Sequence, residues 1–182
     1  MDDRQPGIRP RPTIWRRLDG TARHCFPAVL TMLLLLVAAA PFRLPGQGEL
    51  QNAAALACVF FWSLYRPAAM PPPVVFVIGL LADLLDFAPP GVGVISLLAA
   101  HGLAVRWRRY LVRQGFLMVW LAFAAVAAGL AALQWLMTSL LTFRLLPAGP
   151  ALFQAMLAAG LYPLLAVLLA RAHRTVAEPA NA

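Results

Sequence analysis

Charged residues cut this chain into apolar stretches, and the lengths of those stretches predict its elements. The first uncharged run between Arg23 and Arg43 covers 26–42. Between Glu49 and Arg66 lies 50–65, close to the shortest run, about 17 residues, that can cross a bilayer as a helix. From Arg66 to Arg106 only Asp83 and Asp86 interrupt the apolar pattern. The turn signal Ala88-Pro89-Pro90-Gly91-Val92-Gly93 divides that stretch into 73–87 and 91–105. Two longer runs follow at 115–141 and 148–170. The second carries Pro147 and Pro150 near its start and Pro163 inside. Such prolines are tolerated in a membrane helix, where neighbouring helices re-satisfy the freed backbone groups.

Composition turns six apolar runs into six membrane spans. Of 182 residues, 62% are apolar and 12% charged, against about 45–50% and about 25% in soluble domains. A chain this short cannot bury such an excess within itself, so lipid or protein must cover the remainder. The expected architecture is an all-α polytopic membrane protein with six transmembrane helices over 25–171. A basic cytoplasmic arm at 1–24 and a short tail at 172–182 flank it. A cleavable signal is the competing reading of the first run, because Ala38-Ala39-Ala40 follows it. Removal would leave an odd number of spans and a poorer charge asymmetry, which favours retention.

The basic residues are all arginines, 15 of them. Without a lysine there is no P-loop lysine, Schiff base or serine–lysine dyad. With the amino terminus inside, six spans put 13 arginines on the cytoplasmic side and only Arg43 and Arg144 outside. That is the asymmetry of the positive-inside rule, with both termini cytoplasmic. The arginines border apolar runs, so the formal charge of +8 points to lipid head groups rather than nucleic acid. Cys25 and Cys58 are too few and too irregularly placed for a metal site or a disulfide framework.

Asp83 and Asp86 are the only carboxylates expected within a span, both in the outer half and on one helix face. An aspartate at mid-bilayer costs about 2.5–3.5 kcal/mol, and the end of a helix disfavours negative charge further. Compensation has to come from the start of the next helix, from water, or from a partner's cation. An Asp-x-x-Asp pair can hold a divalent metal on a phosphorylated substrate, but the chain has no second acidic cluster to assist it. A coupled transporter would need further polar residues on facing spans, and Gln134, His101 and Ser96 are the few available. A carboxylate that caps the hairpin or meets a partner is the simplest reading. No catalytic, cofactor or metal site is expected.

Three other features bear on partners. The loop Arg106–Arg113, with Arg106, Arg108, Arg109 and Arg113 beside Trp107 and Tyr110, suits anionic head groups or an acidic cytoplasmic partner. Ala125, Gly129 and Ala132 form a small-residue stripe that permits close helix approach, within the bundle or at a homodimer seam. Asp19-Gly20-Thr21-Ala22-Arg23 resembles the core of CDP-alcohol phosphatidyltransferases. Its spacing is one residue short, the downstream acidic residues are missing, and it precedes the first span, so that reading is rejected.

Phe61-Trp62-Ser63-Leu64-Tyr65-Arg66-Pro67, then Gly79-Leu80-Leu81-Ala82-Asp83-Leu84-Leu85, then Pro89-Pro90-Gly91, resembles MreD, the rod shape-determining membrane protein family. The likeness covers about residues 59–105; elsewhere only hydropathy agrees. Pro90 stands where that family usually has leucine, and Asp86-Phe87 replaces small or polar residues. The resemblance implies a fold similar to the substrate-binding subunits of energy-coupling-factor transporters. It also implies a non-enzymatic scaffold of the cell-elongation complex that supports sidewall peptidoglycan synthesis and cell shape. Its partner would be an MreC-like bitopic protein, with RodA, a penicillin-binding transpeptidase and, indirectly, MreB beyond it. On that reading Asp83, Asp86, Pro89, Pro90 and Gly91 form a structural or partner site. The runner-up is the membrane subunit of a small-molecule transporter, which predicts a solute pocket. A lipid-modifying enzyme comes third.

Overall fold

The computed structural model describes residues 14–40, 46–85 and 90–177, with backbone alone over 14–24 and 173–177. Among them are six α-helices and no strand: α1 (Ile14–Ala39), α2 (Gln47–Tyr65), α3 (Pro72–Leu85), α4 (Val92–Leu111), α5 (Phe116–Thr142) and α6 (Gly149–Ala177). A single 3-10 turn, Pro67–Ala69, joins α2 to α3. Two helices are long and apolar enough to cross a membrane, over Phe116–Thr142 and Gly149–Ala172. Shorter apolar helices cover Cys25–Ala39 and Pro72–Leu85.

Helix boundaries depart from the charge-defined runs for physical reasons. Charge alone excludes Glu49 from the second element, yet α2 starts at Gln47, behind a left-handed Gly46 (φ 80°), with Glu49 in its first turn. Negative charge is favourable there, because the amino end of a helix carries about +0.5 charge. The segment expected as a loop at Arg106–Arg113 is mostly helix, since α4 continues to Leu111 with Arg108 and Arg109 in its last turn. Arginine is a good helix former, and positive charge complements a carboxyl-terminal helix end. The basic arm is helical from Ile14 onward, and α6 runs past Arg171 to Ala177. Asp86 and Pro89 lie outside the described residues.

Consecutive helices run up and down. The end of α3 meets the start of α4, and the ends of α2 and α4 meet at the opposite pole. α2 is the central element. It packs against α1, α4 and α6, and Ala55 to Leu64 are all buried. An aromatic cluster pins it to α5 and α6: Phe60 lies 5.2 Å from Phe123 and 6.1 Å from Tyr162, and Phe123 stacks on Tyr162 at 4.2 Å. Outside this core, large apolar side chains remain exposed, among them Leu84, Leu140, Met156 and Leu164. Single exposed apolar residues are ordinary on a soluble surface, but large side chains exposed in this number call for lipid or protein to cover them.

Candidate functional site

The α3–α4 hairpin is built around Asp83, which is buried in the last turn of α3. Its carboxylate accepts from three backbone N–H groups at the start of α4: Gly91 N at 2.7 Å, Gly93 N at 2.9 Å and Val94 N at 3.3 Å. Of the three compensations expected for this aspartate, the start of the next helix is the one observed. The unfavourable dipole of Asp83's own helix is offset by the favourable dipole of the next, together with donors that would otherwise be orphaned.

Glycines make this contact sterically accessible. Gly91 has φ +98°, a left-handed conformation that side chains rarely adopt. A Cβ at Gly93 would stand 2.2 Å from Asp83 Oδ1, and a Cβ at Gly79 would stand 2.8 Å from Val94 Cα. The Gly-Leu-Leu-Ala-Asp run and the Gly91/Gly93 pair are therefore two sides of one close helix crossing. The structure brings Asp83 and Gly91 together, and Pro90 is exposed at the turn.

Beside this hairpin the same end of the bundle holds a cavity of about 240 Å³. Glu49 and Asn52 from α2, Asp83 from α3, Gly93 from α4, Gln134, Trp135 and Thr138 from α5, and Gln154 from α6 contribute to its wall. Gln154 Nε2 donates to Gln134 Oε1 at 2.7 Å across the α5–α6 pair, and Trp135 Nε1 donates to Leu146 O at 2.9 Å. Sequence reasoning singled out Gln134 but missed Glu49, Asn52, Thr138 and Gln154. None belongs to a local motif, and only the helix pairing brings them together. Among the described residues no three His, Cys, Asp or Glu side chains converge as a metal site would require.

The remaining candidates are engaged elsewhere. His101 is buried on α4 with Nδ1 2.8 Å from Ser63 Oγ on α2, and Ser96 Oγ donates within its own helix to Val92 O at 2.8 Å. Arg108, near the carboxyl end of α4, donates from Nε to Leu64 O at 2.8 Å, and so satisfies one of the last carbonyls of α2. Arg106, Arg109 and Arg113 are exposed around it. The small-residue stripe of α5 faces outward. Leu121, Ala125, Ala128, Gly129, Ala132 and Leu136 are all exposed, and nothing lies within 4 Å of a Cβ at Gly129.

Compared with protein-family models, curated proteins and solved structures, the chain matches none.

Proposed function

We propose that this chain is a non-enzymatic, six-span inner-membrane scaffold of the MreD kind, which seats the single membrane helix of an MreC-like partner. Through that partner it supports sidewall peptidoglycan synthesis by RodA and its transpeptidase, coordinated with MreB. The observation that carries the reading is the outward turn of the α5 stripe. Close-approach residues that serve no contact within the bundle are what a second transmembrane helix uses, since packing of small residues drives association in lipid. The residues that resemble the family also do connected work, because they build the Asp83-capped hairpin.

In the proposed orientation both termini are cytoplasmic. The pole bearing Arg66, Arg106, Arg108, Arg109 and Arg113 faces the cytoplasm and its anionic head groups, and the Asp83 pole faces outward. α3 is about 21 Å long at about 1.5 Å per residue, shorter than the ~30 Å hydrocarbon core. Its neighbours complete the crossing around it.

Depletion in the native host tests the function directly. Widened or rounded cells that no longer place new wall along the side are expected; normal shape with a nutrient requirement would move the protein to the transporter class. Partner recovery tests the seat. Gly129→Leu, at a site where the bundle has room, should insert normally and lose the bitopic partner. Undiminished recovery would remove α5 from the account.

A further inference from the structure

The cavity at the Asp83 pole is not needed for a scaffold, and its wall has a definite chemical bias. Among the described residues of the wall, Glu49 and Asp83 contribute two formal negative charges and no arginine takes part. The amino ends of α2, α4 and α6 border it through Gly48, Val92 and Ala151. At about +0.5 charge each, three helix ends do not cancel two full carboxylates. The two acids are also unequal. Both oxygens of Asp83 are committed to α4, whereas Glu49 stands in the first turn of α2 with only the partial charge of that helix end set against it. The carbonyl of Gln154, whose amide nitrogen is already spent on Gln134, adds an uncharged acceptor.

Size narrows the occupant further. A space of about 240 Å³ is well above the ~10–15 Å³ that holds a single water, so it has room for a small organic group. Gly48, Gly93, Ala131 and Ala151 keep that space open, and Trp135 is the one aromatic residue among the described residues of its wall. We propose that this cavity binds a small organic cation, a guanidinium or primary ammonium group carrying further hydrogen-bond donors. Glu49 balances its charge, and the Gln154 carbonyl and the Thr138 hydroxyl, as acceptors, fix its orientation. The group arrives either as a free small molecule or on an arginine side chain of a partner segment at the outer face.

The test uses the purified full-length chain in lipid nanodiscs, with agmatine as the free probe, a capped arginine tripeptide as the tethered one and succinate as the anionic control. Thermal stabilisation and calorimetric titration should show saturable agmatine binding that weakens at least about ten-fold in Glu49→Gln and in Gln154→Leu. Glu49→Gln removes a charge from the first turn of α2 and Gln154→Leu breaks the link to Gln134, so each variant is read against its own unliganded melting temperature, and a ligand-induced rise that disappears separates a lost ligand contact from a damaged fold. Saturation by the tripeptide alone, with the same sensitivity to Glu49→Gln, would assign the cation to a partner segment. No saturable response to either cation up to millimolar concentration, an unchanged response in Glu49→Gln, or an equal response to succinate would overturn the proposal. The chain is assayed alone, so failure here leaves the scaffold reading untouched, and failure of partner recovery leaves this one untouched.

Discussion

Replacing Asp83 removes a single side chain and unsatisfies the start of a helix. In Asp83→Ala the N–H groups of Gly93 and Val94, both buried, lose their acceptor, while the half-buried Gly91 N–H can still reach water. A buried donor left without a partner costs about 1–3 kcal/mol. Two of them, less partial relaxation, give about 3–5 kcal/mol. Asp83→Asn keeps one carbonyl oxygen, and asparagine caps helices about as well as aspartate in general. It loses the charge opposite the α4 dipole, worth up to about 2 kcal/mol at a partly buried site, and turns an amide NH₂ towards N–H donors. The expected cost is therefore about 1–2 kcal/mol. Reversible unfolding in mixed micelles, read by tryptophan fluorescence, measures both. An alanine variant within about 1 kcal/mol of the parent, or an asparagine variant worse than alanine, would refute the cap as the role of this residue.

Other perturbations probe the remaining contacts. Gly93→Ala drives a methyl into the Asp83 carboxylate and Gly79→Ala drives one into the backbone of Val94, so each should destabilise by about 1–3 kcal/mol in the same unfolding assay. Combining Gly93→Ala with Asp83→Ala should give back part of the first loss, whereas Gly79→Ala with Asp83→Ala should simply add. A double-mutant cycle with Ser63→Ala and His101→Ala should yield a coupling of about 0.5–1.5 kcal/mol; purely additive losses would mean the 2.8 Å contact contributes nothing. Arg108→Ala should cost about 1 kcal/mol or slightly more through the freed Leu64 carbonyl, while Arg109→Ala, exposed on the same turn, should be neutral in stability.

Periodicity and charge located the helices because apolar runs bounded by arginines leave few alternatives to a helical bundle. They misplaced the ends because charge marks where a residue can sit, not where hydrogen bonding stops. Glu49 reads as a boundary yet occupies the first turn of α2, and the arginines after Val105 read as a loop yet extend α4. The role of Asp83 was legible as a need for compensation, since a turn of Pro-Pro-Gly-Val-Gly places a helix start nearby. The identity of the three donors was not, because that depends on how α3 and α4 cross. The cavity was not legible at all. Asn52, Thr138 and Gln154 stand singly on three helices with no spacing between them to count, and they meet only through the packing of α2, α5 and α6.

Polar cross-links divide the bundle into two sets, and that division explains where the cavity lies. α4 is tied to α3 at its amino end by Asp83 and to α2 at its other end by Arg108 and by the His101–Ser63 contact. α5 and α6 are tied to each other by Gln134 with Gln154 and by Trp120 Nε1 to Ala159 O at 2.8 Å. Across the two sets, packing joins α2 to α5 and α6, chiefly Phe60 against Phe123 and Tyr162. Directional bonds fix the geometry within each set, whereas dispersion contacts tolerate sliding between them. The cavity lies on that seam, with Glu49, Asn52 and Asp83 from one set facing Gln134, Thr138 and Gln154 from the other. A group bridging Glu49 to Gln154 would add a polar link across the joint held by packing. A helix docked on the outer face of α5 would act on the same joint from outside. Both proposed sites would therefore bear on the position of the α5–α6 pair.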